Sequence, residues 1–69
     1  MEYLDAVVAV LRDEGKSLHW TVIQDLALKR GYLDPFKQHD IRKNLLAALA
    51  AAAGTGAVVK EDRGVYRLP

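Results

Sequence analysis

Between Tyr3 and Glu14 apolar residues recur at Leu4, Val7, Val8 and Leu11, the i, i+3, i+4, i+7 spacing of a helix with one buried stripe. Tyr3, Ala6 and Val10 form a second stripe beside the first, so the apolar arc is wide. Such an arc predicts either a helix covered by two neighbours or a stripe left open for a protein partner. Gly15 stands where a C′ glycine would stop the helix. Ser17 to Trp20 then alternates, with Leu18 and Trp20 on one side and His19 on the other, which predicts a very short strand. The alternation turns the Trp20 indole inward, as core and not as a base-stacking platform.

Thr21-x-x-Gln24 reads as a capping box opening a second helix, with Ile23, Leu26 and Ala27 on its inner face and Gly31 at its end. In that register Trp20 is N′ and Asp25 is N4, so no hydrophobic staple forms. Asp34-Pro35 has the look of an N-cap followed by Pro at N1. The pattern leaves open whether one helix runs on from there or a single turn comes first. From Ile41 a third helix is clear, with Ile41, Leu45, Ala48, Leu49 and Ala52 on one face and Gly54 and Gly56 as its stop. The run LLAALAAAA reflects the helix propensity of Ala.

Two β-rich runs close the chain, Val58 to Lys60 and Val65 to Leu68, joined through Glu61-Asp62-Arg63-Gly64 as a hairpin. A lone hairpin is marginal, and the strand at residues 17 to 20 would complete a small sheet. The order helix, strand, helix, helix, strand, strand predicts an α+β fold. It is a winged helix-turn-helix with three helices and a three-stranded antiparallel sheet.

Composition narrows this without redirecting it. At 69 residues, 51% hydrophobic and 28% charged, the chain is one globular domain over residues 1–69. It has no Cys, which rules out disulfides and thiolate metal sites. Glu2 and Asp5 stand where a secretory signal would carry Lys or Arg, and the apolar stretch is too short to span a bilayer. The expectation is a cytoplasmic protein with no membrane partner.

Net charge is only +1, so no general attraction to polyanions follows from it. Its distribution is more telling: residues 1–28 hold two Lys/Arg against five Asp/Glu, and residues 29–44 hold five against two.

The opening YLDAVVAVLRDEGKSLHW, the run LHWTVIQDLALKRGYL and the closing GVYRL resemble the HARE-HTH domains. This winged-helix family occurs in bacterial restriction systems, at the N-terminus of the RNA polymerase delta subunit and in eukaryotic chromatin proteins. The likeness covers nearly the whole chain. It departs where the family opens its third helix with Thr-Pro and this chain has Asp34-Pro35. The resemblance implies a DNA-directed or polymerase-directed adaptor role without catalysis.

The catalytic inventory is thin, since no nucleophile, base and orienting group fall at a recognisable spacing. His39-Asp40 point about 100° apart on a helix and cannot make a four-ligand zinc site alone. No cofactor or small-molecule substrate is expected. In helix-turn-helix proteins the start of the second motif helix meets base edges. His39 and Asp40 flank that start. Gln38, Arg42 and Asn44 suit adenine or guanine edges, and Lys37 and Lys43 suit phosphates. On pattern alone these residues also fit a solvated helix surface, and Asp40 argues against DNA. Lys60, Arg63 and Arg67 would carry the wing, partly cancelled by Glu61 and Asp62.

The leading expectation is a module that binds double-stranded DNA weakly as a single copy, within a restriction- or transcription-associated protein. The alternative is a protein-interaction module. It would dock RNA polymerase or another partner through helix 1 (Tyr3, Ala6, Val10) or the basic strip.

Overall fold

The computed structural model covers residues 1–69 and has the expected order: α1 (Tyr3–Glu14), β1 (Leu18–His19), α2 (Trp20–Lys29), α3 (Ile41–Thr55), β2 (Val59–Asp62) and β3 (Val65–Arg67). The strands form one antiparallel sheet in the order β1-β3-β2, so the last strand lies between the other two. Three helices with this sheet make the α+β winged helix-turn-helix arrangement. No helix is long and apolar enough to cross a membrane.

A single core joins every element: Val7, Val10 and Leu11 of α1, Leu18 of β1, Ile23 of α2, Leu33 of the connector, Leu45 and Leu49 of α3, Val58 before β2 and Tyr66 of β3 are all buried. The face that α1 buries differs from the stripe its spacing favours. Ala6, Val7 and Val10 are fully buried and Leu11 nearly so, whereas Leu4 is 40% exposed and Val8 is only partly covered. Both α2 and α3 pack on this helix, and the small Ala6 lets a neighbour come close. The partner stripe of Ala6 and Val10 is therefore core, with Tyr3 partly buried beside it.

The start of α2 is a second correction. Trp20 is already helical, because its N–H is drawn to the carbonyl of Gly64 across the sheet at 2.8 Å. The cap is His19, whose Nδ1 accepts from the Thr21 N–H at 3.3 Å, so Thr21 and Gln24 do not form a capping box. Gln24 Oε1 is instead buried without a partner. The shift makes Leu18 N′ and Ile23 N4, the two positions of a hydrophobic staple, and both are buried. α2 ends in a Schellman turn around Gly31 at φ 73°, with Tyr32 N–H donating to Ala27 O and Gly31 N–H to Leu28 O.

Near the ends of α1 and α2, Arg30 bridges Asp13 at 3.2 Å and Glu14 at 2.7 Å, and the Tyr32 hydroxyl donates to Asp13 at 2.6 Å. The hydrogen bond with Glu14 raises the Arg30 pKa, opposed by desolvation, and the bond to Asp13 raises that of Tyr32.

The connector resolves the open question at Asp34-Pro35: residues 35–37 form a single turn, and α3 starts separately at Ile41. The Asp34 carboxylate accepts from Phe36 N–H at 2.9 Å, and its carbonyl accepts from the N–H groups of Lys37 and Gln38. α3 buries Leu45, Leu49 and Ala52, runs through Gly54, and stops at Gly56 with φ 84°.

Candidate nucleic-acid interface

The start of α3 is set by Asp40, which takes a left-handed conformation (φ 50°, ψ 47°) and makes no side-chain cap. Asp tolerates this region better than most side chains, and the conformation turns the chain sharply into the helix. Asn44 braces the corner from within the first turn. Its Nδ2 donates to the His39 carbonyl at 2.9 Å while its N–H closes the first helical bond to Asp40 O. The Tyr3 hydroxyl donates to the same His39 carbonyl at 3.3 Å, tying α1 to this corner.

Arg42 and Lys43 follow in the first turn, exposed and without any ion pair. The Arg42 guanidinium lies over the Trp20 ring, 5.6 Å from its centroid, within cation–π range. Trp20 is half-buried and packs on the core with one part of its ring while Arg42 covers another. The inward-facing reading of this residue thus holds for packing but not for full burial.

The wing meets the same residue. Arg63 and Gly64 link β2 to β3, with a bulge between Lys60 and Asp62. Gly64 has φ 71°, and a side chain there would meet His19 Nε2 at 2.8 Å and Trp20 Cδ1 at 3.1 Å. The His19 and Trp20 rings adjoin, with centroids 5.8 Å apart. Trp20 therefore joins the start of α3, through Arg42, to the tip of the wing, through Gly64. Lys43 follows Arg42 in α3, and Arg63 precedes Gly64 in the wing. Arg63, Lys60 and Lys37 are likewise exposed and unpaired.

The remaining candidates divide. Arg67 lies at the base of the wing, where its Nε is 3.4 Å from Glu61 Oε2, and Glu61 also accepts from the Ser17 hydroxyl. It lines a groove with Arg12, Gly15 and Lys16 at the far end of α1, away from the Trp20 junction. Gln38 has both ends of its amide engaged, Oε1 accepting from Asp34 N–H at 2.9 Å and Nε2 donating to the Met1 carbonyl at 3.1 Å. It braces the turn, with each end of the amide already holding a backbone partner. His39 is exposed at the corner, and its carbonyl is the acceptor for Tyr3 and Asn44.

Sequence reasoning missed the Trp20 junction and the role of Gly64. The signal was present in the Gly64-Val65-Tyr66 ending, since a non-turn reason for glycine is close approach of another chain segment. No group of three or more His, Cys, Asp or Glu side chains is placed to hold a metal. No protein-family model, curated protein or solved structure matches the chain.

Proposed function

We propose that the chain is a cytoplasmic, non-catalytic winged-helix module that binds double-stranded DNA, as part of a restriction- or transcription-associated protein. The start of α3 would lie in the major groove and the wing would rest on the backbone. The observation that carries this reading is that Trp20 meets both the unpaired Arg42 of α3 and Gly64 of the wing, with unpaired Lys43 and Arg63 next in sequence to each. Cations without an internal partner keep their full charge for phosphates, whereas Arg67, already beside Glu61, contributes little. The resemblance to HARE-HTH domains points the same way.

Within that frame Lys43, Lys37 and Arg63 contact phosphates. Arg42, lying over an indole, is the side chain best pre-ordered to meet a guanine edge. Asn44 keeps its Oδ1 and one N–H, the acceptor and donor that adenine readout uses, but its amide is already tied to the His39 carbonyl. Lys43→Ala and Arg63→Ala, each checked for folding by circular dichroism, test the division of labour. Each should weaken binding to every sequence alike and reduce the slope of log K against log salt by about 1. Arg42→Ala should instead cost about 1 to 3 kcal/mol, concentrated at one base pair. Unchanged binding in all three folded variants refutes the reading. The same unpaired cations favour a second reading, docking on an acidic partner such as an RNA polymerase surface. Binding to such a partner and none to duplex would select it.

A further inference from the structure

Phe36 is 93% exposed, far more than Met1 at 59% or Leu4 and Val22 at 40%. The exposure is not that of a loose tip. Its own N–H is held by Asp34, and Gln38 ties the turn to Asp34 on one side and to Met1 on the other. A rigid turn that presents one aromatic ring loses little entropy on docking, and such rings dominate the energetics of protein interfaces. Phe36 has no second exposed aromatic beside it, as a base-stacking platform would.

A receptor for such a ring exists on the same molecule. Met1, Leu4, Val8 and Ala9 floor an open groove of about 510 Å³ on the outer face of α1, flanked by Asp5 and Arg12. Acidic residues mark the N-terminal end of this groove, where Glu2 and Asp5 are exposed and unpaired. Lys37, next to Phe36, is exposed and unpaired as well. Ring and groove match in apolar character, and Lys37 beside the ring is opposite in charge to Glu2 and Asp5 at the near end of the groove, with Arg12 at the far end. They are also neighbours, because Met1 lines the groove and its carbonyl receives the Gln38 amide from the turn that carries Phe36.

We propose that two copies exchange these parts across a two-fold axis beside Met1. Phe36 of each copy seats in the α1 groove of the other, and Lys37 faces Asp5 and Glu2. Because projection and receptor adjoin, the contact is reciprocal and closes at two copies, where a distant pair would propagate into chains. The interface is smaller than those of stable complexes, so dissociation falls in the micromolar range or weaker.

Sedimentation equilibrium without nucleic acid, up to about 1 mM protein, tests this independently of DNA binding. The parent should fit a monomer–dimer equilibrium. Phe36→Ser, which removes two docked rings per dimer and touches no core contact, should raise the dissociation constant roughly a hundredfold. Asp5→Lys should weaken the dimer, and the double variant Asp5→Lys with Lys37→Glu should restore it. A parent monomeric throughout, a Phe36→Ser variant that dimerises as before, or an open series of larger species would each overturn the proposal. So would a monomeric parent whose Phe36→Ser variant loses duplex binding, which would assign the ring to nucleic acid.

Discussion

Replacing Gly64 by Ala measures how tightly the wing is fitted to the start of α2. Two effects act there. The first is conformational: φ is 71°, and an L side chain in the left-handed region costs about 1 to 2 kcal/mol. The second is steric, since the new Cβ would sit 2.8 Å from His19 Nε2 and 3.1 Å from Trp20 Cδ1. Neither neighbour moves freely. His19 Nδ1 is bonded to the N–H and hydroxyl of Thr21, and Trp20 packs on the core with its own N–H bonded to Gly64 O. Relief therefore requires shifting the turn, at about 1 to 3 kcal/mol for overpacking of this kind.

Gly56 isolates the first effect. Its φ is 84°, and an added Cβ would meet nothing within 4 Å. In a 69-residue domain each kcal/mol moves the midpoint by about 4 to 8 °C. Gly56→Ala should then lower Tm by roughly 5 to 15 °C and Gly64→Ala by roughly 10 to 30 °C. Thermal unfolding followed by circular dichroism decides the matter. Equal losses in the two variants would refute the claim that the wing is packed against His19 and Trp20.

Further outcomes follow from burial and charge. Val10→Asp should abolish folding, as seen by loss of helical circular dichroism, because Val10 is fully buried and an unpaired charge there has no partner. Trp20→Ala should cost about 2 to 3 kcal/mol by urea denaturation, below the range for a fully buried Trp because part of the ring is open to Arg42. The Tyr32 phenol, raised above its usual 10.0 mainly by its bond to Asp13, should titrate at higher pH in the folded than in the unfolded protein when absorbance at alkaline pH is followed. Its neutral form is favoured by folding, so its contribution to stability is intact below pH 10 and fades as the phenol ionises above it. Asp13→Asn should return it towards the ordinary value.

Most of the architecture was legible because each element carries its own signal. Gly15, Gly31 and Gly56 mark helix ends where left-handed residues are needed, and Leu45, Leu49 and Ala52 keep one face of α3. The failures came where tertiary partners choose among local options. With apolar residues almost all round α1, periodicity could not tell that α2 and α3 would cover Ala6 and Val10 and leave Leu4 outside. The capping box at Thr21 was locally sound, yet the Gly64 carbonyl draws the Trp20 N–H into the first turn and moves the cap to His19. At the candidate interface the residue types Gln38 and Asn44 suggested base readout. Residue type could not tell that their amides also hold nearby backbone groups, which the turn and the left-handed Asp40 leave open.

The most direct test of DNA binding is a fluorescence anisotropy titration of a labelled duplex at about 50 mM and about 200 mM salt. The parent is compared with the triple variant Arg42→Ala, Lys43→Ala, Arg63→Ala. With Lys37, Lys43 and Arg63 on phosphates and Arg42 on a groove edge, the parent should lose roughly fortyfold in affinity between the two salts. The triple variant, still folded, should bind far more weakly with a slope smaller by about 2. A parent that fails to bind at the lower salt, or a folded triple variant that binds as the parent does, would contradict the assignment.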